Sequence, residues 1–210
     1  GDRMATMLRR RGAEVVEVGA KLGSVPPRSQ VAEALDGGAF KALFATHVDT
    51  STGVLVDAAD LIALAREHGC LSVFDGVCAT AGERFEMERW GADVYLTGSQ
   101  KAVGLPAGPA LLVASPRAMA AREALRTPPP MSLDFLEWLP IMKAYEQRKP
   151  SYFATPATNH MMALSVSLGE LLADEHGDER SMAARFSRHR RAAEAMRAGW
   201  SALGLSLLPE

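Results

Sequence analysis

Cysteine and the larger aromatic residues are scarce in this chain of 210 residues, which holds two Cys, three Trp and three Tyr. Cys70 and Cys78 match neither a metal-ligand spacing nor a disulfide framework. That excludes a disulfide-stapled secreted domain and makes a reducing cytoplasm the expected compartment. Trp90, Trp138 and Trp200 lie too far apart for a base-stacking platform. Neither sign of charge dominates: 23 Lys and Arg stand against 25 Asp and Glu, a net −2. This balance argues against a dedicated nucleic-acid binder. No apolar run is long enough to span a bilayer. His47, His68, His160, His176 and His189 share no ligand spacing, so no metal is expected. Internal repeats and low-complexity tracts are also lacking.

What the chain does have is enough apolar side chain, 48%, with 23% charged residues, to bury a core. Its length suggests one full domain and part of another. A basic run, Arg9 to Arg11, closes a short helical pattern and suits a helix C-terminus. Ala13 to Val18 alternates like a strand. Gln30 to Leu35 reads as a short helix, and Lys41 to His47 as a strand. From Asp57 to His68, Ala58, Leu61, Ile62 and Ala65 share one helical face. Asp57 can cap that helix, and Gly69 stands where a left-handed residue ends it.

Cys70 to Phe74, Asp93 to Thr97 and Pro109 to Ala114 read as further strands, with a short helix from Arg84 to Trp90. Helices are expected over 117–126, 132–147, 159–173 and 181–203. Residues 149–156 are irregular, 174–179 form an acidic break, and Leu205 to Leu208 looks like the start of a strand. Alternating strands and helices predict an α/β fold with a mostly parallel sheet covered by helices on both faces. The abrupt beginning and end suggest a piece of a longer protein.

Ligands of parallel α/β sheets bind outside the carboxyl ends of the strands. Past the first strand come Asp49, Thr50, Ser51, Thr52 and Gly53. Past the next come Asp75, Gly76 and Val77, and past the third Thr97, Gly98, Ser99, Gln100 and Lys101. Singly, these are ordinary loop residues. Together they set hydroxyls, a carboxylate, an amide and an amine on one rim. A neutral lysine attacks carbonyls to form a Schiff base. An aspartate beside a pyridine nitrogen keeps it protonated, so that the ring of pyridoxal phosphate can accept electrons.

Thr97-Gly98-Ser99-Gln100-Lys101-Ala102 resembles the cofactor-lysine motif of class V aminotransferases, most closely the alanine–glyoxylate and serine–pyruvate group. Three further stretches are similar to that family in the same order: His47 to Val54, Phe74 to Val77, and Tyr152 to Pro156. The resemblance implies a fold type I pyridoxal-phosphate large domain over residues 1–158, followed over 159–210 by a connecting helix and the start of a small C-terminal α+β domain. It implies that Lys101 binds the cofactor covalently and then shuttles the substrate proton. Asp75 would pair with the pyridine nitrogen, Val77 would pack on one ring face, Thr50 would bond the ring's phenolic oxygen, and Gln100 would contact the phosphate.

Tyr152 and Thr155 would reach the phosphate bound by a partner subunit, which implies a homodimer. The implied reaction moves the amino group of alanine or serine to glyoxylate or pyruvate. The family's glycine-rich phosphate loop and its residue on the other ring face would lie upstream. Its substrate-carboxylate arginine would lie downstream. A chain lacking these groups is expected to turn over little.

Other readings remain at this level. Ureidoglycine, aminoethylphosphonate or phosphoserine are substrates of relatives. A desulfurase or lyase would need a His where Gln100 stands and a cysteine on a mobile loop. A non-catalytic dimerising chain would look the same. A signalling receiver domain would need a pair of acidic residues after Val18, which are missing. The cluster Arg185, Arg188, His189, Arg190 and Arg191 reads as a solvated helix face. Met161 and Met162 read as core filler.

Overall fold

The computed structural model describes residues 1–173 and 181–209. The expected acidic break at 174–179 lies outside them. Eight helices and four strands follow in the order α1 (Asp2–Arg10), α2 (Arg28–Asp36), β1 (Ala42–Thr46), α3 (Ala58–Glu67), β2 (Leu71–Asp75), α4 (Met87–Trp90), β3 (Val94–Gly98), β4 (Ala110–Ala114), α5 (Pro116–Glu123), α6 (Phe135–Glu146), α7 (Thr158–Leu172) and α8 (Met182–Ala202). The sheet runs β1-β2-β3-β4; the first three strands are parallel and β4 is antiparallel to β3. Only a short non-helical loop joins β3 to β4. A parallel neighbour would require a longer crossover.

α3 forms where its apolar spacing predicts. The Asp57 carboxylate accepts from the Asp60 amide at 3.0 Å, and Gly69 follows with φ +72°. Ala58, Ile62, Leu64 and Ala65 are buried against Leu43, Phe74 and Tyr95 of the sheet. The opposite sheet face is more open than its apolar strands suggest. Phe44 is 41% and Leu112 51% exposed on that face.

Two expected strands are absent. Ala13 to Val18 runs outside the sheet, without a ladder. Arg9 of α1 instead holds it, through an ion pair with Glu17 at 2.6 Å and a bond to the Val15 carbonyl. Leu205 to Leu208 likewise has no partner strand among the described residues. Alternation supplies a face but not a neighbour, and a strand needs both.

The sheet's other end is tied by Asp93, 2% exposed, at the start of β3. Its carboxylate accepts from the Ser72 amide at 2.9 Å, the Ser115 hydroxyl at 3.0 Å and Arg117 Nη1 at 2.8 Å. Arg117 also donates to the carbonyls of Gly69 and Cys70. β2, β3 and the start of α5 are thereby joined away from the loops that follow the parallel strands.

Candidate active site

Sheet register places Thr46, Asp75 and Leu96 in one row across β1, β2 and β3. The ladder continues one step, with the His47 amide on the Asp75 carbonyl and the Gly76 amide on the Leu96 carbonyl, both at 2.8 Å. Three chain segments therefore leave the sheet side by side.

The first loop folds around Asp49. Its Oδ2 accepts from Ser51 Oγ at 2.6 Å, Thr52 Oγ1 at 2.6 Å and the Thr52 amide at 2.9 Å. These bonds, Ser51's and Thr52's hydroxyls foremost, hold the Asp49 carboxyl below its ordinary range. Gly53, at φ +75°, closes the turn where a side chain would be strained. Thr50 is left exposed at the tip, its hydroxyl 2.8 Å from Cys78 Sγ.

After β2, Asp75 Oδ1 accepts from the Val77 amide at 3.0 Å. That one bond fixes the two residues expected to meet a ring edge and a ring face. Gly76 has no room for a Cβ, which would lie 1.9 Å from the ring of Tyr95. Burial, and secondarily the charge of Asp75, push the Tyr95 phenol up and keep it neutral. Thr80 Oγ1 lies 2.8 Å from the Gly76 carbonyl and 3.2 Å from the Tyr95 hydroxyl.

His47, 3% exposed, packs beneath these loops against Phe85 and Tyr95, and its Nδ1 has no hydrogen-bond partner among the described residues. Burial lowers its pKa. The folded state therefore binds that proton less readily than the unfolded chain. The stability His47 leaves intact above about pH 6.5 is lost as pH falls from there through its lower folded value. Urea unfolding from pH 7.5 to 5 is expected to show this loss, and His47→Asn to flatten it. Equal slopes in the two proteins contradict the assignment. His68 has the opposite sign, raised by its bond to the Leu64 carbonyl, so only the difference between the proteins is informative.

Past β3, the fully buried Ser99 donates to the Pro106 carbonyl at 2.8 Å, and its own carbonyl accepts from the Leu105 amide at 3.0 Å. The Gly104 amide reaches the Lys101 carbonyl at 2.9 Å, with Gly104 at φ +86°. Gln100 and Lys101 stand exposed on this anchored loop. Among the described residues no hydrogen bond or ion pair occupies the Lys101 amine.

Thr50, Asp75, Val77, Gln100 and Lys101 thus lie on three adjacent strand-end loops. Tyr152 and Thr155 are elsewhere on the chain, 3.2 Å apart and bonded to each other. Their segment is held by Tyr145 on the Ser151 carbonyl and by Trp138 against Phe153. No contact joins them to the strand-end cluster among the described residues.

Two expectations about the helices need correction. Met161 and Met162 of α7, expected as core filler, are 40% and 66% exposed. Arg185 of α8 is not a solvated residue: its Nε donates to the Ala81 carbonyl at 2.8 Å and its Nη2 to the Ala102 carbonyl. Sequence reading also passed over Cys78, Thr80 and Tyr95 as site neighbours. The adjacency of Cys78 to Val77 was the only signal available. The described residues contain no cluster of side chains suited to a metal and no helix long and apolar enough to cross a membrane.

The family profile Aminotransferase class-V matches residues 3–189. Alanine–glyoxylate aminotransferase 1 of Saccharomyces cerevisiae is 38% identical over 177 residues, 81% of this chain and 46% of the yeast protein. L-aspartate–glyoxylate aminotransferase of Paracoccus denitrificans is 35% identical over 210 residues, 98% of this chain and 50% of that protein. The crystal structure of alanine–glyoxylate aminotransferase from Nostoc sp. matches all of this chain and 53% of that one, with TM-score 0.87 and 28% identity. The chain spans about half the length of the curated relatives it matches. Its fold is the α/β fold type I of these aminotransferases. A lysine loop, an aspartate turn and a hydroxyl-rich loop on neighbouring strands of that fold, with a family match over most of the sequence, place the chain in the class-V aminotransferases.

Proposed function

We propose that this chain carries the cofactor-binding machinery of an enzyme that uses pyridoxal phosphate to move the amino group of a small amino acid, alanine or serine, to glyoxylate or pyruvate. The observation that carries the reading is the convergence of Thr50, Asp75, Val77, Gln100 and Lys101 on three adjacent strand ends. Relatives named for alanine, serine or aspartate with glyoxylate, and for pyridoxamine with pyruvate, support it. The donor set fits the cofactor. Lys101 offers an amine unpaired among the described residues, on a loop anchored by a buried serine. Asp75 commits Oδ1 to Val77 and leaves Oδ2 without a bonded partner among the described residues.

When bound, the cofactor supplies an aldehyde that condenses with amines and a pyridinium ring that takes up electrons. Lys101 holds it and then takes the α-proton of the substrate at Nζ. Asp75 keeps the ring nitrogen protonated, Val77 fixes a ring face, Thr50 bonds the phenolic oxygen and Gln100 the phosphate. Tyr152 and Thr155, exposed and clear of this cluster, are assigned to the phosphate of a partner subunit in a homodimer, with residues 159–210 forming a connecting helix and the beginning of the small domain. A cytoplasmic setting suits two free thiols.

The test is the visible spectrum of the full reading frame with pyridoxal phosphate, before and after borohydride, beside Lys101→Ala. The expected result is a band that borohydride fixes on the peptide containing Lys101 and that the variant lacks. No fixed band in the unmutated protein overturns the proposal.

A further inference from the structure

We infer that Arg185 is a positioning residue that sets Lys101 relative to Asp75. The inference rests on the cofactor reading above. One guanidinium of α8 bridges two loops. Nε bonds the Ala81 carbonyl, at the end of the turn that begins with Asp75. Nη2 bonds the Ala102 carbonyl, one residue past Lys101. Arg185 is the sole hydrogen-bond partner of either carbonyl among the described residues.

Three further observations make this more than a surface contact. Ala81 is 7% exposed and takes φ +64°, a left-handed conformation that alanine adopts only when its surroundings enforce it. Ala81 and Val103 are buried together against Leu164 and Leu171 of α7, with Met182 of α8 packed on them. Ser167 of α7 donates to the Val103 carbonyl at 2.6 Å, fixing the lysine loop two residues past Lys101. α7 and α8 thus clamp both loops, and Arg185 is the group that touches both backbones. A guanidinium spans two carbonyls because its donors are set in a rigid fork. An ammonium is a single point and can favour only one.

Arg185 touches neither substrate nor cofactor in this reading. Its effect is on the spacing between the amine and the carboxylate. The test uses the full reading frame loaded with pyridoxal phosphate and compares Arg185→Ala and Arg185→Lys with the unmutated protein. The readouts are the cofactor Kd, the pH midpoint of the visible band and the thermal midpoint. Hydrogen bonds from a charged donor predict a rise in Kd of about 10- to 100-fold for Arg185→Ala, with a smaller rise for Arg185→Lys. The pH midpoint is expected to move in both, and guanidinium at non-denaturing concentration to restore Arg185→Ala in part.

A lowered thermal midpoint with Kd and pH midpoint unchanged reduces Arg185 to a structural brace and overturns the inference. Should Arg185→Ala fail to fold, Arg185→Lys decides: a Kd and pH midpoint equal to those of the unmutated protein overturn it. An unmutated protein with no borohydride-fixed band overturns the cofactor reading as well, so the two failures are told apart.

Discussion

Lys101→Ala is expected to lower amino-group transfer by about 10²- to 10⁴-fold, the range associated with a positioned general base. The amine sits on a loop that the structure anchors at both sides. Ser99 is buried and bonded to Pro106, and Gly104 bonds back to the Lys101 carbonyl. Removing the side chain beyond Cβ leaves this backbone intact, so the loss is of the amine and not of the loop. Two consequences separate this from general damage. The thermal midpoint of Lys101→Ala stays near that of the unmutated protein, because the side chain is exposed and its amine has no hydrogen bond or ion pair to lose among the described residues. Small primary amines added to the assay restore part of the rate, since they can occupy the space the side chain vacates. Turnover within threefold of the unmutated protein, measured with alanine and glyoxylate, contradicts the role assigned to Lys101.

Local signals were legible in the sequence where they were enough to specify structure. α3 needed only its apolar spacing, the Asp57 cap and Gly69, all within one segment, and each is found in place. The strand-end residues were legible for a related reason. In a parallel sheet each strand presents its carboxyl end to the same edge, so the residue after each strand is a site candidate before any contact is known. Thr50, Asp75 and Lys101 are candidates on that ground, and the structure sets them on loops after three adjacent strands.

Long-range pairings were not legible. Ala13 to Val18 has the alternation of a strand, but its backbone finds Arg9 rather than a ladder. Arg185 lies in a basic run that favours solvent by composition. Its partners are carbonyls 104 and 83 residues away, and carbonyls leave no mark on a sequence. The sequence pattern marks Tyr95 only as one more residue of a strand. Only the structure shows that its ring takes the space a Gly76 side chain would need.

The largest effect on stability is expected at Asp93, far from the chemistry. This carboxylate, 2% exposed, serves the Ser72 amide, the Ser115 hydroxyl and Arg117 at 2.8–3.0 Å. Asp93→Ala leaves the buried Ser72 amide and the half-buried Ser115 hydroxyl without this acceptor and one half-buried guanidinium without its anion. Removing one partner of a fully buried ion pair costs about 3–5 kcal/mol, an upper bound here because the Arg117 side chain is 38% exposed. Against a typical domain stability of about 5–15 kcal/mol, that is a large share. Ser115 also caps α5 through the Ala118 amide at 3.1 Å, so the start of that helix loosens in step. Urea unfolding should show a lower midpoint with an unchanged slope, because the folded surface is the same. Asp93→Asn retains one acceptor oxygen and should lose less. The cofactor Kd should hold in both variants under conditions where they are folded, because Asp93 ties the sheet at the end opposite the Thr46, Asp75 and Leu96 row. A loss of cofactor affinity without loss of stability would show that the two ends of the sheet are coupled, and the division between a structural end and a chemical end would fail.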